Sequence, residues 1–181
     1  MSELTIAHLD YLKQQQQLIK QLIDEHFERY PKLKQQRELL TSIPGIGTQT
    51  AAVFLAEVGR VENYQTARLL GATHAEGTSA RLHPQLAAYA GLTPSERSSG
   101  TSVHGKSRLS CTGNVRLRRA LYMPAIVSMR FNPLLKALGD RLLDRGKAKM
   151  QAIGAIMRKL VHLAVGILKS QQPFDPNYAL A

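Results

Sequence analysis

The sequence predicts an all-α fold, with an N-terminal coiled-coil-like helix followed by a helical domain that contains a helix-hairpin-helix. Three observations carry that prediction. Apolar residues recur three and four apart along much of the 181-residue chain, which is the period of a helix face. Helix punctuation stands where those stretches start and stop, at Pro31, at Asn132-Pro133 and at Gly146. No stretch alternates apolar and polar residues as a half-buried strand does.

The first helix is predicted within an arm, residues 1–34. Leu9, Leu12, Gln16, Ile19, Ile23, His26, Tyr30 and Leu33 form a heptad seam in which Gln16 and His26 are the polar positions, and Leu4, Tyr11, Leu18 and Leu22 flank it. A seam of this length serves either to pair with a second copy or to pack on its own domain. Pro31 should kink or end the helix near Tyr30. A helical domain is expected over residues 35–170, with a tail at 171–181.

Within the domain, residues 36–59 carry "IPGIGTQTAAVFLAEVG", an arrangement that resembles a helix-hairpin-helix. Gly45 and Gly47 allow a tight turn and close approach to a phosphate, and the following helix offers its first amides to the anion. A Pro-Gly turn between two packed helices would use the same letters. Short helices are expected at residues 64–68 and 85–90. Residues 69–84 between them lose periodicity and read as a surface loop or insertion, with His74 and His83 too loosely placed for metal.

The stretch "NVRLRRALYMPAIVSMRF", residues 114–131, predicts a helix kinked or interrupted near Pro124, with Arg116, Arg118 and Arg119 crowding its start. Cations there oppose the helix dipole, and a bound anion would relieve the repulsion. Asn132 is the expected cap of the next helix, Pro133 its first residue and Gly146 its stop. The last helix, about 147–169, should bury Ile153, Ile156, Met157, Leu160, Ala164, Ile167 and Leu168.

Charge is distributed unevenly. Residues 1–96 hold nine Lys and Arg against ten Asp and Glu, whereas residues 97–169 hold fifteen against two, so the whole net charge of +11 comes from one segment. That asymmetry points to phosphate backbones as the partner, DNA slightly ahead of RNA, because few aromatics are placed to stack bases. No apolar run approaches the roughly 18 residues of a membrane span, and the N-terminus shows no secretion signal. The single Cys111 suits a reducing cytoplasm, the expected location.

The charged segment opens inside "PSERSSGTSVHGKSRLSCTGN", residues 94–114, which contains six serines and three glycines. A serine attacks phosphorus only when its proton is removed and the developing charge is stabilised. Arg97, Lys106, Arg108, Arg116, Arg118 and Arg119 are candidates for the second task, and His104 is the only ordinary base in the loop. Composition by itself favours a mobile Ser/Gly linker whose cations touch DNA.

The succession "IPGIG…TAAVFLAEVG", "QLAAYAGLTPSERSSG", "GKSRLSCTGNVRLRRALY" and "RFNP" resembles the C-terminal transposase domain of insertion-sequence-110 type transposases, which include pilin-gene-inverting recombinases. That resemblance spans residues 43–168, and the helix before it is similar to the family's coiled-coil connector. It implies a DNA recombinase that works through a covalent phosphoserine, pairs with a resolvase-like domain holding Mg²⁺ on an Asp-Glu-Asp-Asp site, and uses a guide RNA to choose its DNA. On these residues the nucleophile is expected at Ser99, then Ser98, with Ser110 third.

Two departures accompany the resemblance. Cys111 stands where the family pattern places Lys, and residues 69–84 interrupt a connection that is otherwise direct. The acidic residues Asp10, Asp24, Asp140 and Asp144 compose no metal site, and no resolvase-like domain is recognised ahead of the arm. The expected form is therefore DNA-binding and inactive alone, with no metal of its own and self-association through residues 4–30. The alternative is a non-enzymatic DNA-binding remnant, or a competitor of full-length transposase.

Overall fold

A computed structural model describes residues 3–59, 82–95, 98–99, 103–104, 108–110 and 112–176. The chain divides into two compact units, Met1–Gln36 and Arg37–Ala181. Seven helices lie among the described residues, and the fold is all-α.

The first unit is dominated by α1 (Glu3–Arg29), an uninterrupted helix of 27 residues. It ends one residue before Tyr30, as Pro31 requires. Pro31 then opens α2 (Pro31–Thr41), where its missing N–H is harmless in a first turn. The Tyr30 carbonyl accepts from Leu33 and Lys34 amides at 3.0 and 3.1 Å and so starts the new helix. The apolar seam of α1 and its flank are exposed from Leu4 to Ile23, and the buried residue of the helix, Phe27, lies outside that seam.

In the second unit, α3 (Thr48–Val58) buries Ala51, Phe54, Leu55 and Val58, one face at helical spacing. Gly59, at φ +64°, ends it by donating to the Leu55 carbonyl at 2.9 Å. The helix α4 (Leu82–Tyr89) starts inside the stretch expected to be an inserted loop. The expected helix at 64–68 and the rest of that loop lie outside the described residues.

Next come four two-residue strands, β1 (Pro94–Ser95), β2 (Ser98–Ser99), β3 (Val103–His104) and β4 (Arg108–Leu109). They correct the expectation of a loop without backbone pairing. Strands of two residues cannot display alternation in sequence, and serine and glycine hide it further.

The core is built by α5 (Val115–Phe131), α6 (Pro133–Asp144) and α7 (Lys149–Ser170). Helix α5 packs on α3, α6 and α7, and α7 also packs on α4 and α6. Leu117, Leu121, Pro124, Ala125 and Ser128 form the buried face of α5. Pro124 does not interrupt α5, contrary to one sequence expectation. The turn before α3 docks beside it: the Ser128 hydroxyl donates to the Pro44 carbonyl at 2.9 Å. Asn132 caps α6 as expected, its side-chain oxygen accepting from the Leu134 and Leu135 amides.

Helix α7 buries an apolar face from Ala152 to Leu168 that includes all seven residues expected from the sequence. Burying each large aliphatic side chain contributes about 1.5–3 kcal/mol. By length and composition α7 is the one helix among the described residues that could cross a membrane, and most of that stretch is buried within the protein. Beyond α7 the chain returns to the α2–α3 junction, where the Phe174 amide donates to the Ser42 hydroxyl at 2.8 Å.

Candidate nucleic-acid interface

The serine-rich segment has a paired backbone. Pro94 is opposite Leu109 and Ser95 opposite Arg108 in one antiparallel ladder. Ser98 is opposite His104 and Ser99 opposite Val103 in the second. The pairs are nested, so the segment follows one hairpin path with both candidate serines on its inner rungs. The two ladders are offset by one residue, because residues 96–97 separate them on one side and 105–107 on the other.

The root of the hairpin is anchored to the helical core. Ser110 donates its amide to the Thr93 carbonyl at 2.8 Å, and the two hydroxyls lie 3.4 Å apart. Leu109 sits against Gly154 on α7, where a β-carbon would come within 3.0 Å of the leucine Cδ1. Gly154 is thus a notch in an otherwise side-chain-covered helix face, and Leu109 fills it.

Beside this root, α3, α4 and α5 are tied together by a polar knot. Asn114 caps α5 by accepting from the Leu117 amide at 3.0 Å. Its side-chain nitrogen donates to the Glu57 carboxylate at 2.6 Å and to the Tyr89 hydroxyl at 2.9 Å, while its backbone amide donates to the Tyr89 carbonyl at 2.6 Å. The Tyr89 hydroxyl donates in turn to the Glu57 carbonyl at 3.3 Å. Gly113, at φ +132°, permits this approach, since a β-carbon there would collide with the Tyr89 carbonyl.

The three arginines at the start of α5 face different surroundings. Arg116 is 87% exposed, with its guanidinium 3.8 Å from the Glu57 carboxylate. Arg118 is half-buried and donates to the Ala90 carbonyl at 3.1 Å, which ties it to the end of α4. Arg119 is exposed. Helix α5 contains no acidic residue at all.

The chain matches the family described as Transposase IS116/IS110/IS902 over residues 37–74 and 65–140, a span that takes in α3, the hairpin, the knot and α5. The chain belongs to that family.

Relatives with curated descriptions agree. The chain is 36% identical over 146 residues to the Pilin gene-inverting protein of Moraxella bovis, an alignment covering 80% of this chain and 40% of the relative. It is 36% identical over 131 residues to the Insertion element IS110 uncharacterized 43.6 kDa protein of Streptomyces coelicolor, covering 72% and 28%. It is 30% identical over 155 residues to the Insertion element IS900 uncharacterized 42 kDa protein of Mycobacterium paratuberculosis, covering 86% and 34%. These alignments therefore span well under half of the length of each relative.

Within this transposase-family segment the two turn glycines differ. Gly45, at φ +107°, faces α5, and a β-carbon would collide with the Ser128 hydroxyl. Gly47 is exposed with open space around it, and it precedes α3 without a side-chain cap. Gly45 thus shapes the turn and its seat on α5, while Gly47 leaves the start of α3 open to solvent. Arg97 and Lys106 lie outside the described residues, as does Cys111. Arg108 is placed by its backbone, opposite Ser95.

Among the described residues, no three of His, Cys, Asp or Glu gather as a metal site would need. Glu57, Tyr89 and Asn114 did not stand out in the sequence. Asn114 at the head of a helical pattern is an N-cap signal, but nothing in sequence links it to a glutamate 57 residues earlier.

Proposed function

We propose that this chain is the DNA-binding, serine-bearing C-terminal part of an IS110-type transposase, acting in DNA transposition or recombination. The observation that carries this reading is the paired hairpin, rooted on α7 by Leu109 and Gly154, that places Ser98 and Ser99 on a defined backbone within the family-matched span. A catalytic nucleophile needs a supported backbone more than a mobile linker does.

In the proposed step the serine oxygen attacks a DNA phosphorus, the phosphodiester bond to one deoxyribose oxygen breaks, and a phosphoserine joins protein to DNA. The serine proton passes to a base and the leaving oxygen takes up a proton. Rejoining reverses the step, with a DNA hydroxyl displacing the serine. Ser99 is the first candidate and Ser98 the second. Register places Ser98 opposite His104, the only imidazole in residues 94–114, which supports Ser98 wherever that histidine is the base.

Arg116 and Arg119 would hold flanking phosphates, with Arg97, Lys106 and Arg108 nearer the scissile one. Arg118 would support the start of α5 from its bond to Ala90. The α2–turn–α3 segment would act as a helix-hairpin-helix, receiving a backbone phosphate at Gly47 and the first amides of α3. Mg²⁺ would be supplied by a resolvase-like domain, and a guide RNA and a second copy paired through α1 complete the assembly.

Trapping of a covalent protein–DNA adduct on element-end DNA with Mg²⁺, with and without a supplied resolvase-like domain, tests the reading. An adduct abolished by Ser99→Ala or by Ser98→Ala identifies the nucleophile. A second reading, a DNA-binding competitor of full-length transposase, is favoured by the exposed α1 seam. It is the better account if both serine variants retain every function while Arg116→Ala and Arg119→Ala weaken binding and flatten its salt dependence.

A further inference from the structure

We propose that Glu57 is a resident competitor of the nucleic-acid phosphate for Arg116, and so lowers non-specific binding at the start of α5. The inference rests on the DNA-binding reading above.

Glu57 lies in the last turn of α3, the end of a helix that disfavours an anion. Its favourable partners lie across the knot. One carboxylate oxygen accepts from Asn114 at 2.6 Å, which leaves the other turned towards Arg116 at 3.8 Å. The Glu57 side chain is only 21% exposed, and Asn114 is itself fixed by capping α5 and by two bonds to Tyr89. Glu57 is therefore a stationary charge.

Arg116 is the opposite. Its side chain is 87% exposed, and 3.8 Å is an ionic attraction too long for a hydrogen bond. An ion pair at this distance with its cation in water breaks easily. A phosphate can take Arg116 away, but the swap offsets one attraction with the loss of another. Helix α5 has four arginines, Arg116, Arg118, Arg119 and Arg130, and no acid. Glu57 supplies the acid that α5 lacks. A surface reading only backbone charge binds any duplex, and a fixed competing charge discriminates against partners that offer nothing further.

Glu57→Gln tests this with little change in shape, because the glutamine oxygen still accepts from Asn114. The full chain is titrated with a random-sequence duplex from about 50 to 200 mM salt, alongside Arg116→Gln and the double variant. Glu57→Gln should bind about 2–5-fold tighter at low salt, with a steeper salt slope by up to about 0.9. That gain should vanish when Arg116 is also replaced.

A gain that persists without Arg116 overturns the pairing, and unchanged or weaker binding by a folded Glu57→Gln overturns the competition. Should Glu57→Gln unfold, the comparison of exposed sites decides: Arg116→Gln must lose less affinity than Arg119→Gln, and an equal or greater loss refutes the proposal. If no form binds duplex, the DNA-binding reading fails and this inference with it. Binding by the native chain that only the Glu57 prediction fails to describe leaves the DNA-binding reading standing.

Discussion

Helices α1 and α7 are both long and both carry an apolar stripe at helical spacing, yet they end in opposite circumstances. In α7 the stripe is covered by α4, α5 and α6, and Leu160, Val161, Ala164 and Val165 are wholly buried. In α1 the stripe is exposed, with Ile19 at 56% and Leu22 at 54%. The contrast teaches that periodicity writes a face and leaves its partner unstated. The small residues of α7, Ala152, Gly154 and Ala164, admit close neighbours. The seam of α1 sets Leu9, Leu12, Ile19 and Ile23 at heptad spacing with Gln16 and His26 as polar positions among them, a composition that suits another helix of its own kind.

Substitution can break that contrast. Leu160→Ala should lower stability by about 2–5 kcal/mol, through lost burial and the cavity left behind. Ile19→Ala should cost less than about 0.5 kcal/mol at high dilution. Urea denaturation of both variants checks this, and comparable losses would mean that the α1 stripe is covered within the single chain.

The glycines extend the comparison from helix faces to the backbone. Gly113→Ala should destabilise by about 1–3 kcal/mol, because its φ of +132° is strained for alanine and the Tyr89 carbonyl occupies the space. Gly47→Ala, exposed and at φ −89°, should cost under about 1 kcal/mol as a poorer cap. Thermal melts of the pair decide whether crowding or mere presence in a turn sets the effect.

Gly154→Ala tests what the buried face of α7 does beyond stability. Alanine favours the helix by about 1 kcal/mol, which offsets much of the crowding at Leu109, so the melting temperature should move little. Residues 94–109 should nevertheless become easier to cleave by protease, and Leu109→Val should restore protection by shortening the side chain that meets the new methyl. Unchanged cleavage would mean that the hairpin root does not depend on this seat.

The smallest effect on folding is expected from Ile19→Asp, which touches only the exposed stripe. Its melt at high dilution should match the native chain within about 0.5 kcal/mol. Sedimentation velocity should show a shift from a self-associated species to a monomer, and a native chain that is monomeric throughout would remove self-pairing as the purpose of α1.

How much of the site could be read in advance varied with the range of the interactions that build it. Asn132-Pro133 and Gly146 announced their roles because caps and stops act within a few residues. The stripe of α7 announced its burial for the same reason, its pattern being local to one helix. The hairpin was hidden because its rungs are two residues long and rich in serine. Arg118 read as a phosphate-binding cation beside Arg116 and Arg119, and only the packing of α4 against the second unit's core turned its guanidinium to the Ala90 carbonyl. Glu57 looked like any helix-surface glutamate until α5 brought Asn114 and Arg116 to it.

The sequence alone determined the helical class, most helix ends and the concentration of cations after residue 96, because propensity, capping and charge are properties of neighbouring residues, and its succession of motifs carried the likeness to a transposase family. Tertiary structure decided which stripe became core, which of two turn glycines was committed to packing, and where the hairpin was seated. It also decided which arginine remained free to leave its acid. Those outcomes depend on residues far apart in the chain arriving within a few ångströms of one another, and no local pattern records that arrival.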